Sequence, residues 1–328
     1  MSDIDKTIVI DSAGVRIDCE LCPVCNTPLE PESNQADLLR CPVCRFSKKQ
    51  KIVIAPGNVI GNKYRVLNHL NSGGSGDLFI CHPLDDVSIR YVLKVLRNAD
   101  PTNRKRFRRE AELLSSICGE ERVAKVFDYW ETGEDSFIIM EYVNGKNLKQ
   151  LKTEFVFDEQ ATLQIAYETA VALQYIWDNF SIIHRDIKPE NIMLDEGFRV
   201  KLLDFGLSKQ FDDQEDTTIT MASSGLGTPG YMSPEQYTDG KHADFRSDIF
   251  SLGATMFFLL TGKKTFNGQS TMDVYTDTLA NSPPAPERFE GLCSEGCINV
   301  MRRMMQRYPD DRYYSYSELL DDLEKLLQ

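Results

Sequence analysis

The chain has 328 residues with 37 basic and 50 acidic side chains, a formal net charge of −13. Apolar residues make up 41% and charged residues 27%, a globular composition that excludes disordered, collagen-like and disulfide-scaffold readings. The length predicts about two domains, and the net acidity argues against a protein that coats nucleic acid or anionic membrane.

The opening residues, Met1-Ser2-Asp3-Ile4-Asp5-Lys6, are acidic where a secretory leader would be basic. The most apolar stretch, 250–260, is about half a membrane span and predicts a buried helix. A cytoplasmic chain without a membrane partner is expected. Residues 1–18 form a polar lead whose Ile8-Val9-Ile10 could add a strand but cannot fold alone.

Five of the nine cysteines lie in residues 19–48. Cys22-Pro23-Val24-Cys25 and Cys41-Pro42-Val43-Cys44 are the same tetrapeptide twice, fifteen residues apart. Two-residue spacing aims both sulfurs of a tight turn at one ion, and two such turns complete a tetrahedral shell suited to Zn²⁺. The matched pairs leave Cys19 outside the set. An all-thiolate shell predicts a structural zinc-ribbon module whose fold depends on its metal. It would dock a protein partner or, alternatively, nucleic acid. Residues 49–63, opening in Lys48-Lys49-Gln50-Lys51 and with Ala55-Pro56-Gly57-Asn58 inside, read as a linker.

From residue 64 strand-like runs fall at 64–70, 77–82, 91–96, 123–130 and 137–142, with a helical pattern at 103–117 between them. After Asn144-Gly145 the chain turns helical, with helices predicted over 162–179, 248–261 and 315–328. A strand-rich part (64–143) before a helix-rich part (144–328) predicts an α+β protein of two lobes. The basic run Arg104-Lys105-Arg106-Phe107-Arg108-Arg109 reads as a solvated helix face. Cys293 and Cys297 supply only two ligands and read as free thiols.

Five motifs follow one another in this second part. Asn71-Ser72-Gly73-Gly74-Ser75-Gly76-Asp77-Leu78 is a glycine-rich turn whose N–H groups could face phosphates. Tyr91-Val92-Leu93-Lys94 lies in the next strand, and Glu110 in the helix after it. His184-Arg185-Asp186-Ile187-Lys188-Pro189-Glu190-Asn191 precedes Asp204-Phe205-Gly206, eighteen residues beyond Asp186. Gly227-Thr228-Pro229-Gly230-Tyr231-Met232-Ser233-Pro234-Glu235-Gln236 completes the series.

This order resembles the eukaryotic-like protein kinases, and the last stretch resembles their bacterial members most. The resemblance covers residues 64–328. It implies a two-lobed kinase fold, Mg-ATP as the phosphoryl donor, and protein substrates. Asp186 would accept the substrate hydroxyl proton, Asn191 and Asp204 would hold Mg²⁺, and Lys188 would balance charge on the group in flight. Lys94, ion-paired with Glu110, would hold the α- and β-phosphates under Asn71, Gly73, Gly74, Gly76 and Leu78. Val92, in place of the usual alanine, and a gatekeeper Met140 would line the adenine pocket, where Glu141 and Val143 present backbone groups. Asn71 stands where the first glycine is usual; its tolerance of left-handed backbone suggests a stiffer loop.

By the same resemblance, Glu235 pairs with Arg312, Asp248 braces the catalytic loop, and Lys188 with Thr228 selects Ser/Thr acceptors. Arg185 would meet a phosphate carried by the segment 204–235. The candidate acceptors there are Thr217, Thr218, Thr220, Ser223 and Ser224, with Thr220 first by its distance from Gly227. Autophosphorylation through a transient homodimer would then activate the enzyme. A pseudokinase scaffold, or a ribbon that senses nucleic acid with the kinase as output, are the alternatives. Residues 149–328 hold 17 basic and 29 acidic residues, a net −12, so the acidity sits where a protein substrate would dock and suggests basic substrates.

Overall fold

A computed structural model of the chain describes residues 7–10, 16–19, 29–32, 35–40, 42–43, 47–49, 54–73, 76–97, 101–117, 119–132, 135–204, 228–238 and 243–328. Two compact units emerge, one of Met1–Asn98 with Trp130–Phe137, the other of Ala99–Tyr129 with Ile138–Gln328.

In the first unit β1 (Thr7–Ile10) pairs antiparallel with β2 (Arg16–Cys19), Thr7 opposite Cys19. Ile8-Val9-Ile10 therefore finds its partner strand nearby, and the hairpin runs across the expected boundary at residue 18. A three-stranded antiparallel sheet follows: β3 (Glu30–Glu32), β4 (Gln35–Arg40) and β5 (Ser47–Lys49). Glu30 lies opposite Arg40, and Arg40 opposite Ser47. Glu30, Arg40 and Ser47 thus stand at the same end of this sheet. The four cysteines themselves lie outside the described residues.

Next come β6 (Val59–Ile60), which arises inside the expected linker, β7 (Tyr64–Gly73), β8 (Gly76–Pro83) and β9 (Tyr91–Leu96), an antiparallel meander. The 91–96 prediction coincides with β9. Its Val92, Leu93 and Val95 are buried, because a strand covered on both faces reads as continuous apolar sequence. The segment Trp130–Phe137 closes this unit with an aromatic pile. Trp130 stacks on Tyr64 (5.9 Å) and on Phe137 (5.0 Å).

The second unit begins with α1 (Pro101–Ser116), whose Phe107, Ala111 and Leu114 recur at helical spacing and are buried. The strands β10 (Val126–Thr132) and β11 (Asp135–Glu141) are divided between the two units. Beyond them the structure departs from the expected run of helices. β12 (Gly145–Asn147) leads into α2 (Leu148–Glu154) and α3 (Glu159–Phe180). Then β13 (Ile192–Asp195) and β14 (Val200–Leu202) join β12 in a second small antiparallel sheet. Strands of three or four residues are too short to leave a periodic signal, which is why they were not predicted. Gly145 is required here, since a Cβ would stand 2.0 Å from the Leu194 carbonyl oxygen.

The remaining helices are α4 (Pro234–Thr238), α5 (Arg246–Thr261), α6 (Thr271–Asn281), α7 (Glu295–Met304) and α8 (Tyr316–Leu327). α5 is the apolar stretch noted in the sequence, and every residue from 247 to 257 is buried. It packs against α3 and α7, while α8 lays Tyr316, Leu319 and Leu323 onto the same core. Four of these helices use a predictable N-terminal cap: Asp158 for α3, Ser270 for α6, Ser294 for α7 and Ser315 for α8. Among the described residues no helix is long and apolar enough to cross a membrane.

Candidate active site

In the second unit the segment His184 to Asn191 is held from several sides. The buried Asp248, in the first turn of α5, accepts the His184 N–H at Oδ2 (2.7 Å) and the Arg185 N–H at Oδ1 (2.8 Å). Complete burial pushes this carboxyl up to about 7, against the pull of both amides and of Arg185. The His184 ring is fully buried, accepts the Asp186 N–H at Nδ1 (3.3 Å) and sets Nε2 against the Leu203 carbonyl (3.0 Å). These partners select the neutral ring with its proton on Nε2. Arg185 has φ +65° and Asp204 φ +40°, the left-handed region in which non-glycine residues are held at a cost by their surroundings.

Within this frame three side chains converge on Asp186. Lys188 Nζ lies 2.8 Å from Oδ2, Asn191 Nδ2 donates to Oδ2 (3.0 Å) and to the Asp186 carbonyl (2.9 Å), and the Thr228 hydroxyl donates to Oδ1 (3.3 Å). Lys188 also donates to Thr228 Oγ1 (2.7 Å), which closes the ring. Thr228, expected with Lys188 to select Ser/Thr acceptors, thus belongs to the cluster around the expected base. The Leu203 N–H donates to the Asn191 carbonyl (2.9 Å), joining the two segments that carry the expected Mg²⁺ ligands. Asn191 spends its amide donors on Asp186, so its oxygen remains the acceptor end, the donor type a hard cation takes.

Two further supports hold this region, the second of them the Glu235–Arg312 pair that the resemblance implied. The buried Gln236 accepts from the Ser233 N–H (3.0 Å) and hydroxyl (3.1 Å), and donates to the Arg185 carbonyl (3.1 Å). Ser233 and Gln236 were legible only as part of the stretch that resembles the bacterial kinases; the hydrogen bonds give them a positioning role. Arg312 is 1% exposed and forms a bidentate pair with Glu235 (2.6 and 2.8 Å). Its other N–H groups reach the carbonyls of Gln306, Arg246 and Arg307, so all five guanidinium donors are used.

Met140 and Val143 are buried. The Glu141 N–H is committed to the Lys125 carbonyl (2.8 Å), and its carboxylate to Lys201 (2.6 Å) and the Lys125 N–H (3.2 Å). The Glu141 N–H is thus already used and does not face a ligand. Glu110 is buried in α1. Residues 205–227 lie outside the described residues, and with them Phe205, Gly206, Thr217, Thr218, Thr220, Ser223 and Ser224.

In the first unit the glycine-rich turn is a continuation of β7 and β8, with Asn71 opposite Leu78, Ser72 opposite Asp77 and Gly73 opposite Gly76. Gly74 lies outside the described residues. Asn71 keeps a negative φ, contrary to the expected use of left-handed backbone. The stiffness comes from side chains instead. Asn71 Oδ1 accepts the Ser72 N–H (2.9 Å), and the Ser72 hydroxyl donates across the hairpin to Asp77 (2.7 Å). His69 Nε2 lies 2.8 Å from the same hydroxyl and Arg97 3.3 Å from Asp77. Gly76 has φ +117°, and a Cβ there would stand 2.4 Å from the Val95 carbonyl. Leu78 lies opposite Lys94, which is 2% exposed, and Val92 is buried beside it in β9.

A family profile for the protein kinase domain matches residues 64–322. The chain belongs to that family. Among curated relatives, it is 36% identical over 280 residues to a probable serine/threonine-protein kinase PknB of Corynebacterium glutamicum, covering 82% of this chain and 43% of the relative. It is 32% identical over 273 residues to serine/threonine-protein kinase PknB of Mycobacterium leprae, covering 80% and 43%. The chain spans about two fifths of the length of the curated relatives it matches. Among solved structures, Rad53 1-466 in complex with AMP-PNP matches with a TM-score of 0.65 at 22% identity, over 79% of this chain and 64% of that one, a likeness of fold.

Proposed function

We propose that the chain is an active serine/threonine protein kinase that transfers the γ-phosphoryl group of Mg-ATP to protein hydroxyls. The observation that carries this reading is the ring of Lys188, Asn191 and Thr228 around Asp186. Two donors hold Oδ2, which orients Oδ1 toward an incoming hydroxyl. Asn191 and Asp204 would hold Mg²⁺, whose contribution when bound is to neutralise the triphosphate and keep it in line. Lys188 then faces the charge that develops on the transferred group, and Lys94 the α- and β-phosphates. Incubation with γ-labelled ATP and Mg²⁺, followed by acid hydrolysis, is expected to give phosphoserine or phosphothreonine. Label on tyrosine alone would overturn the Ser/Thr assignment.

Gly76→Ala tests the glycine-rich hairpin. The substitution combines a disallowed φ with a close approach to Val95, a strain on the order of 1–3 kcal/mol. The KM for ATP is expected to rise about tenfold if most of that strain falls on the nucleotide-competent hairpin. An unchanged KM would remove this hairpin from nucleotide binding.

The zinc module is part of the same proposal. Its support is the donor set, Cys22, Cys25, Cys41 and Cys44, and a sheet register that sets Glu30, Arg40 and Ser47 at one end. Purified protein is expected to carry one zinc per chain. Chelation should abolish hydrogen-exchange protection in residues 19–48 and leave the kinase domain folded. Protection that survives chelation would refute a metal-dependent fold. The module would dock a protein partner, and phosphorylation within 204–235, Thr220 first, would activate the enzyme through Arg185. The acidity of residues 149–328 favours substrates with Arg or Lys near the acceptor.

A further inference from the structure

The second unit exposes apolar side chains that the candidate active site does not use. The turn between α2 and α3 reads Glu154-Phe155-Val156-Phe157-Asp158. Val156 is 91% exposed and Phe155 57%, and Leu292, in the turn before α7, is 42% exposed. Single exposed apolar side chains are ordinary, whereas a group of them marks an interaction surface. The grouping here is enforced by a clamp. Glu159, the first residue of α3, accepts the Ser294 N–H at Oε2 (2.7 Å) and the Ser294 hydroxyl at Oε1 (2.5 Å). Phe155 and Val156 lie four and three residues before Glu159, and Leu292 two residues before Ser294. The two turns are therefore held at one end of the unit. The end of α8 joins them there. Gln160 Nε2 donates to the Leu326 carbonyl (3.5 Å), and a Cβ on Gly296 of α7 would stand 2.7 Å from the Leu326 side chain. Phe157, Cys293 and Leu326 are half-buried against the core and give this end an apolar base. The two segments 154–160 and 290–297 hold five acidic residues, Glu154, Asp158, Glu159, Glu290 and Glu295, and no basic one. Glu154 is met by Lys146 (2.6 Å), Asp158 caps α3 and Glu159 forms the clamp. Glu290 and Glu295 are exposed and form no ion pair among the described residues.

We propose that this end of the unit, with Phe155, Val156 and Leu292 at its centre, docks a partner protein through an amphipathic basic segment. Such a segment carries apolar side chains on one face and Arg or Lys beside them. Its apolar face would cover Phe155, Val156 and Leu292, and its cations would meet Glu290 and Glu295. Charge complementarity selects this occupant. An acidic segment would bring like charge onto five carboxylates. A second copy of the chain carries a net −13, and an anionic membrane is repelled by the same groups. The α2–α3 turn, the start of α7 and the end of α8 supply none of the residues around Asp186. The segment would therefore be held without using the groups of the candidate active site, and its binding does not depend on phosphoryl transfer.

The experiment titrates the full chain into a fluorescein-labelled peptide of about eighteen Leu and Lys residues, with Leu at helical spacing. The peptide has no hydroxyl, so a failure of the kinase assignment leaves this measurement untouched. Fluorescence anisotropy at low salt is expected to give a Kd below about 100 μM. A matching peptide with Glu in place of every Lys should not bind. Phe155→Ser with Val156→Ser should weaken binding about tenfold or more, as expected for central apolar anchors. Glu290→Gln with Glu295→Gln should weaken it about threefold and flatten its salt dependence. All four positions are exposed, so melting temperatures should stay within about 2 °C of the parent. Should the apolar double variant melt lower, Leu292→Ser on the other turn makes the same comparison. The proposal is overturned if the Leu/Lys peptide fails to bind, or binds parent and apolar variants equally. It is equally overturned if the Glu peptide binds as tightly. Sedimentation of the parent as a dimer that the apolar double variant dissociates would also overturn it, by giving the patch to a second copy.

Discussion

Asp186→Asn is expected to lower the rate of phosphate incorporation by about 10²- to 10⁴-fold, the range that a positioned general base contributes. The argument for a clean chemical effect comes from the neighbours of Asp186. Oδ2 is held by Lys188 and Asn191, both donors, and Oδ1 by the Thr228 hydroxyl. An asparagine amide turned with its oxygen toward Lys188 keeps both donors satisfied and offers its NH₂ to the Thr228 oxygen. The local hydrogen-bond ring survives, while the group that takes the proton is lost. Initial rates at saturating ATP and peptide, with a melting curve beside them, are the measurement. A rate within about threefold of the parent would show that Asp186 is not the base and would return the chain to a scaffolding role.

Arg312→Ala carries the largest expected loss of stability. The guanidinium is 1% exposed, uses all five of its donors, and sits 4.9 Å from the centre of the Phe250 ring. Its removal leaves the largely enclosed Glu235 carboxylate, 19% exposed, without its counter-charge, a defect worth about 3 kcal/mol or more. At about 2–4 °C per kcal/mol for a domain of this size, the melting temperature should fall by about 10 °C. Truncating both partners, Arg312→Ala with Glu235→Ala, should cost less than the sum of the single substitutions, since neither charge is then stranded. A fall of less than about 2 °C in the single variant would show the pair to be dispensable.

The same pair predicts a pH signature. Burial pushes the Glu235 carboxyl up, but the hydrogen bonds and charge of Arg312, with the Ser247 hydroxyl, outweigh it and hold the group below its ordinary value of 4.5. A carboxyl depressed in the folded state stabilises the fold above its unfolded value and loses that contribution as pH falls through the folded value. In Arg312→Ala only burial and Ser247 remain, the shift reverses, and protonation relieves the stranded charge. The difference in melting temperature between parent and variant should therefore narrow below about pH 5. A difference that is constant from pH 7 to pH 4 would contradict the assignment.

Much of this architecture was legible along the chain. β9 and the buried α5 follow from apolar runs of the right length, and α8 from leucines at helical spacing. The expected catalytic residues were legible because chemistry restricts residue type: a base, a cation and one oxygen ligand stand within residues 186–191, and the second ligand follows eighteen residues beyond the base. β12, β13 and β14 were not legible, because such short strands owe their existence to their partners rather than to a pattern of their own. Asn71 was read through its backbone tolerance, whereas the folded hairpin uses its side-chain oxygen. Thr228 was read through class resemblance, whereas its hydroxyl closes a ring forty-two residues back in sequence.

By itself, then, the amino-acid sequence determined the membership in the kinase family, the order of the catalytic motifs and the matched pairs of cysteines. Each is a matter of residue type at close spacing, which local backbone geometry translates directly. Only the tertiary structure decided which other distant groups satisfy one another. It brought Gln236 to the Arg185 carbonyl and Glu159 to the turn that bears Cys293 and Cys297, and it supplied the geometry of two pairings the resemblance had implied, Asp248 with the amides of His184 and Arg185, and Arg312 with Glu235. Those pairings depend on how helices pack, and a buried donor or acceptor must find its partner wherever packing has put one.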